Sequence, residues 1–257
     1  MTGPLVRAEV ADFVAVVTLD HPPVNAQSGP LRAELIEVFD TLGDRDDVRA
    51  IVLTGAGRIF SAGADIKERI GLVQGPGDYT RHNRLTRASF YAVLECQKPV
   101  IAAVNGPALG AGFALAQCCD ILLASENAVF GMPEVDVGLA GGAKFLQRFL
   151  SHSKARRMLL TGQRVPAQEM FRLGVVEACT PPEDLMPEAM AIAREIAGKS
   201  PLAVRLLKQS FGMVENLSLR DGYRLEQDVT VRLSESEDAK EAQRAFVEKR
   251  KPRFKGR

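Results

Sequence analysis

Val100-Ile101-Ala102-Ala103-Val104-Asn105-Gly106-Pro107-Ala108-Leu109-Gly110-Ala111-Gly112-Phe113-Ala114-Leu115 is the stretch whose reading decides the fold. Apolar residues ending at Val104 predict a buried strand, Asn105-Gly106-Pro107 breaks it, and Gly110-Ala111-Gly112 opens an apolar helical run toward Cys118. The result is a helix start made of backbone. Side chains this small let a ligand lie directly on peptide N–H groups, which lack an intrahelical partner and carry the positive end of the helix dipole. Such a surface suits an oxygen that becomes negative during a reaction.

Upstream, Ala50 to Thr54 reads as a second buried strand, followed by the small-residue loop Gly55-Ala56-Gly57-Arg58-Ile59-Phe60-Ser61-Ala62-Gly63-Ala64-Asp65 and a short helix from Ile66. Leu5 to Val10 and Phe13 to Leu19 predict a hairpin turning at Ala11-Asp12, which Pro22, Pro23 and Asn25 terminate. Ser28 and Pro30, followed by Leu31, Leu35, Ile36 and Phe39, have the form of an N-cap and an amphipathic helix. Gly75-Pro76-Gly77 precedes another helix over about 79–96.

Downstream, Ile121 to Ala124 and Ala128 to Phe130 predict short strands, with Met132-Pro133-Glu134 as a loop. From Ala143 the pattern is helical, interrupted by a strand at Val175-Val176-Glu177-Ala178, and beyond Ser200-Pro201 it is helical throughout. Strands alternating with helices imply an α/β fold with a largely parallel sheet. We expect a core over 1–199 and a helical segment over 200–257 that packs on a neighbouring subunit or on its own core.

At 257 residues and 46 % hydrophobic, the chain can bury a sizeable core. A net charge of +1 gives no global attraction to nucleic acid or to an anionic membrane. Cys96, Cys118, Cys119 and Cys179 form no C-x-x-C pair, so reduced thiols and no zinc site are expected. The absence of a targeting pattern or bilayer-length apolar run adds the expectation of a cytoplasmic protein. Gly55-Ala56-Gly57 and Gly110-Ala111-Gly112 both lack the third glycine of a dinucleotide fingerprint. No Walker A or G-x-S-x-G motif is present, and His21, His82 and His152 read as surface or structural residues.

Phe60-Ser61-Ala62-Gly63-Ala64-Asp65-Ile66-Lys67, the run from Lys98 to Gly112, and Phe130-Gly131-x-Pro133-Glu134 together resemble the signature of the crotonase superfamily, the enoyl-CoA hydratase/isomerase proteins. Pro23-Val24-Asn25-Ala26, Leu160-Thr161-Gly162, Ala167-x-Glu169 and Ala245-Phe246-x-Glu248-Lys249-Arg250-Lys251-Pro252 extend the resemblance over essentially the whole chain. It implies the crotonase fold, a spiral of ββα units with a C-terminal helical segment used for trimerisation, and hence a homotrimer or homohexamer. It also implies an acyl-CoA substrate, with coenzyme A as part of that substrate and no separate cofactor or metal.

The resemblance further implies that the N–H groups of Ala64 and Ala111 form an oxyanion hole for the thioester carbonyl. Backbone around Val24 to Ala26 and at Ala62, Asp65, Ile66 and Lys67 would hold the CoA, with Lys67 near a phosphate. A hydratase of this family uses two glutamates. Glu134 matches the second of them, whereas the first position falls on Ala114, which cannot move a proton. What remains is enolate chemistry of the broad hydratase/isomerase kind, C=C hydration/dehydration or a double-bond shift, with Glu134 as a single acid/base group, and the chemistry alone favours the shift over simple hydration.

Alternatives are a hydratase-lyase on an aromatic enoyl-CoA and a non-catalytic CoA-ester- or RNA-binding relative. Asp136 is expected to point away from Glu134 or to cap the turn, and Tyr79, Tyr91 and Tyr223 to pack as aromatics. The absence of an acid around Gly142 argues against dienoyl-CoA isomerase chemistry. The basic tail Lys249 to Arg257 has two readings: attraction for the CoA phosphates, or neutralisation by Glu235, Glu237, Asp238 and Glu241.

Overall fold

The computed structural model describes residues 3–257. Strands β1 (Val6–Ala11), β2 (Val14–Leu19), β3 (Ala50–Gly55), β4 (Val100–Val104), β6 (Ile121–Ser125) and β9 (Ala178–Thr180) form one sheet in the order β1-β2-β3-β4-β6-β9. β1 is antiparallel to β2, and every other pairing in this sheet is parallel. Because side chains alternate across a strand, the apolar runs bury both faces.

Ala15, Val17, Ile51, Leu53, Val100 and Ala102 point into the larger core, where they meet Leu31, Leu35 and Phe39 of α1 (Gly29–Asp44) and Val93 of α3 (Asp78–Leu94). Their neighbours Val14, Ala50, Val52, Ile101 and Ala103 face α8 (Pro182–Ala197) instead. α8 presents Ala189, Ala193 and Ala197 at fourfold spacing, and these small side chains let it lie close to the sheet.

A second sheet joins β5 (Ala108–Leu109), β7 (Val129–Gly131) and β8 (Val165–Pro166). Successive turns of the chain send one strand to the large sheet and one short strand to this one, as β4 then β5 and β6 then β7, before a helix follows. Isolated parallel bridges pair Ser61 with Ala108 and Gln27 with Ala64, so both small-residue loops are drawn toward the second sheet.

Ser28 caps α1 as expected, its Oγ accepting from Leu31 N at 3.3 Å. The hairpin turns one residue later than expected, at Asp12-Phe13, because both adopt positive φ (51° and 65°), the geometry that matches strand twist in a two-residue hairpin. The expected strand at 175–178 lies at β9 instead. Val175 and Val176 are core-packed lead-in residues, and Glu177 N donates to Leu122 O at 2.8 Å to start the pairing. The expected loop at 132–134 enters a 3-10 turn, Pro133–Val137.

After Ser200, whose Oγ caps α9 (Pro201–Val214), the chain forms α10 (Leu219–Ser234) and α11 (Glu237–Val247). The tail folds back on α11. Asp238, buried, accepts from Ser200 Oγ (2.7 Å), Lys255 N (2.7 Å) and Gly256 N (3.0 Å), while Arg250 pairs with Glu241 at 2.6 Å. Glu241 is held down to about 2 by that arginine and by the N–H of Arg253. Internal neutralisation is therefore the reading that holds for Arg250, and Arg257 likewise reaches Glu237 at 3.3 Å.

Candidate active site

Two asparagines hold the first small-residue loop. Asn25, in the left-handed region, donates from Nδ2 to Ala56 O (3.0 Å) and Ile59 O (2.7 Å). Asn105 donates to Gly55 O (2.9 Å) and Gly57 O (3.0 Å). From there the chain runs between two neighbours. Ala62 N donates to Val24 O (3.0 Å) and Asp65 N to Gln27 O (3.4 Å) on one side; Ser61 N donates to Pro107 O (3.2 Å) on the other, and its carbonyl accepts from Leu109 N (3.0 Å).

Gly63 N turns to Ser61 Oγ and Gly110 N to Gly131 O. The N–H groups of Ala64 and Ala111 take no part in any of these bonds among the described residues. Ala111 is the first residue of α4 (Ala111–Ala116), so its N–H is one of the donors that a helix leaves without a partner.

The two loops touch backbone to backbone. A Cβ on Gly63, whose φ is +99°, would sit 2.6 Å from Leu109 O and 3.3 Å from Ala111 N, so glycine is required on both steric and conformational grounds. Gln27, which is 1 % exposed, ties them together from beneath: it pairs with Ala64 through backbone, and its Nε2 donates to Ala111 O at 3.0 Å. Sequence reasoning passed over Gln27. The signal for it is a second amide side chain, two residues after Asn25 and just before a helix cap, in a segment otherwise made of small and apolar residues.

Glu134 reaches the same place from the 3-10 turn. Parallel pairing of Leu109 with Gly131 sets β7 beside β5, and the turn that follows brings the Glu134 carboxylate over Gly110, where Oε1 would lie 2.7 Å from a Cβ. That contact is one residue from the Ala111 N–H. Oε2 is buried without a hydrogen-bond partner among the described residues. Burial pushes the Glu134 pKa above the ordinary glutamate value, against a smaller opposing pull from its own backbone N–H and from the charge of Arg69.

Ala114, 4 % exposed in α4, contributes no ionisable group to this site. Asp136 does not replace one, because its carboxylate lies against Gly162 at the end of α6 (His152–Thr161), 2.7 Å from where a Cβ would stand there. Tyr79, Tyr91 and Tyr223 are exposed, although Tyr79 tilts against His82 at 5.8 Å between ring centroids. Among the described residues the expected aromatic packing is found for Tyr79 but not for Tyr91 or Tyr223, whose helices show these positions to the outside.

The segments expected to hold CoA lie next to one another in part. Val24 O accepts from Ala62 N, Gln27, the residue after Ala26, pairs with Ala64, and Asp65 caps α2 (Ile66–Arg69) by accepting from Lys67 N at 2.8 Å. Ala62, Ile66 and Lys67 are exposed.

Residues 9–257 match the family described as Enoyl-CoA hydratase/isomerase. The chain belongs to that family. It is 39 % identical over 243 residues to the protein named "Probable enoyl-CoA hydratase, mitochondrial" of Dictyostelium discoideum, covering 93 % of this chain and 86 % of that one. It is 36 % identical over 252 residues to the carnitinyl-CoA dehydratase of Proteus mirabilis, covering 95 % of each. The crystal structure of an enoyl-CoA hydratase from Bacillus anthracis superposes with a TM-score of 0.93 at 33 % identity, covering 98 % of this chain and 100 % of that one. These matches agree with the α/β crotonase fold described above. Among the described residues no helix is long and apolar enough to cross a membrane.

Proposed function

We propose that this member of the enoyl-CoA hydratase/isomerase family carries out enolate chemistry on an acyl-CoA thioester, with Glu134 as its single proton carrier. The thioester oxygen is received by the N–H groups of Ala64 and Ala111, and the CoA runs along Val24, Ala26, Ala62, Asp65, Ile66 and Lys67. Preorganised N–H donors stabilise the negative oxygen that forms when a proton leaves the α- or γ-carbon, each typically worth about 2.7–4 kcal/mol of barrier.

The observation that carries the reading is the Glu134 carboxylate seated on Gly110, next to the Ala111 donor, with one buried and unpartnered oxygen. In its ionised form Glu134 takes a proton from one carbon of the enoyl system. Held in a site that shields it from water, it returns that proton to another carbon. The electron pair of the broken C–H bond passes into the enolate and back. With alanine at 114, a double-bond shift needs no further acid, whereas hydration would require one carboxylate both to activate water and to protonate carbon. The thioester itself acidifies the proton, so the reaction calls for no cofactor beyond the CoA that the substrate carries.

Two further parts of the proposal concern assembly and compartment. α9, α10 and α11 expose Phe211, Leu219, Val231 and Phe246, the second and last at 90 % and 86 %, and so large an apolar surface supports burial in a homotrimer or homohexamer. The four free cysteines, three of them buried, fit a reducing compartment, for which we take the cytoplasm. The test of the reaction is incubation with crotonyl-CoA, a 3-enoyl-CoA and a hydroxycinnamoyl-CoA, with products followed by mass and by conjugated-thioester absorbance. Migration of the double bond is the expected result; retro-aldol cleavage of the aromatic ester, or no turnover of any of the three, would overturn it.

A further inference from the structure

A buried guanidinium nitrogen without a partner is costly, and two arginines, one near the start of α1 and one at the end of α2, carry such nitrogens. Arg32 on α1 is 1 % exposed, and its Nε, Nη1 and Nη2 have no hydrogen-bond partner among the described residues. Arg69, the last residue of α2, also buries an Nε with no partner. The two charges oppose each other. Burial first and Arg69 second bring the Arg32 pKa down to about 10, against attraction from Glu68 and Asp65.

Those carboxylates are already engaged at helix starts. Glu68 Oε2 accepts from Gly29 N at 2.8 Å and Asp65 Oδ1 from Lys67 N at 2.8 Å. His82 of α3, which feels both arginines, has its pKa lowered chiefly by burial and supplies no negative charge. Arg69 is also the charged side chain that acts on Glu134. The unmet donors thus belong to the start of α1 and the end of α2, and the charge of Arg69 reaches the proton carrier.

We propose that Arg69 and Arg32 receive a second anionic group on the acyl chain, so that the substrate is the CoA thioester of a dicarboxylic acid. The inference rests on the reading that the thioester oxygen lies between Ala64 and Ala111. A carboxylate matches the planar fork of a guanidinium and accepts paired hydrogen bonds from it, which a methyl terminus cannot do. An alkyl chain in the same place would leave both arginines unpaired in a drier site. A pocket built around hydrogen-bonding groups discriminates strongly against a ligand that leaves them unmet.

The experiment compares binding of matched saturated thioesters to the intact protein by calorimetry: succinyl-, glutaryl- and adipyl-CoA against butyryl-, pentanoyl- and hexanoyl-CoA. At least one diacid is expected to bind at least about tenfold more tightly than its methyl-terminated counterpart. Arg69→Met is expected to bring that ratio close to one, and Arg69→Lys to keep part of it. If no diacid is preferred by the intact protein, or if the preference survives Arg69→Met, the inference falls. Equal binding with turnover of a 3-enoyl-CoA overturns this inference and leaves the proposed function standing. A diacid preference without turnover of any enoyl ester supports the anion site and overturns the proposed reaction. Failure of every thioester to bind overturns both.

Discussion

The two walls of the candidate site are built in opposite ways. The wall carrying Ala64 and Ala111 is backbone, positioned by strand pairing, by the close packing of Gly63 on Leu109 and by the Gln27 amide. The wall we propose opposite it consists of long ionisable side chains, Glu134, Arg69 and Arg32, each with a buried nitrogen or oxygen that has no hydrogen-bond partner among the described residues. A donor made of main chain needs only small neighbours and a fixed loop. A donor or base made of side chain depends on burial and on neighbouring charge, so the two walls respond to substitution differently.

The largest effect is expected from Glu134→Gln. It should lower kcat on a 3-enoyl-CoA by about a thousandfold or more while leaving thioester affinity within a few fold, measured by steady-state rates and calorimetry. If turnover survives, the side-chain wall is not the chemical one.

Gly63→Val comes next, because it drives a side chain into Leu109 O and toward Ala111 N at a positive φ. Moving one donor away from its oxygen should cost about a hundredfold in kcat, and thermal unfolding should show the accompanying strain. Gln27→Leu keeps the volume and removes the tie to Ala111 O, so a loss of about tenfold in kcat is expected, with KM changing less. An equal loss in both constants would mean that Gln27 acts on binding rather than on donor placement.

The charged wall also predicts a pH signature. Glu134 has a folded pKa above its unfolded one, so any stability it contributes is full below the unfolded value and declines as pH rises through the folded value. Glu134→Gln should therefore raise Tm relative to the parent at pH 8 and raise it less, or not at all, at pH 4. Activity needs the ionised form, so the acid limb of the rate profile should lie above that of an ordinary glutamate, and Arg69→Met should move it higher still. Asp136→Asn should change kcat by less than about threefold, since its carboxylate faces Gly162 and not the reacting carbons.

The backbone wall was legible in the sequence because glycine and alanine runs after apolar strands leave few conformations and little bulk, and the resemblance to a known family singled out Ala64 and Ala111 as the proposed donors. The alternation of strands with helices, the Ser28 cap and the start of the last helical segment followed from the same local chemistry, whereas the ββα order came from the resemblance. Arg32 and Arg69 were not legible. Each reads as an ordinary charged helix residue, and only tertiary packing determines that the Arg32 head and the Arg69 Nε are buried without partners. Gln27 escaped for a related reason, since its partner Ala111 is eighty-four positions away.

The central claim is that two main-chain donors and one carboxylate converge on a thioester, and a crystal structure with a non-reactive acyl-CoA analogue tests it most directly. The predicted result is a thioester oxygen within about 2.7–3.1 Å of both Ala64 N and Ala111 N, with a Glu134 oxygen facing the neighbouring carbons. A thioester oxygen that touches neither nitrogen, or a Glu134 carboxylate turned into bulk water, would contradict it.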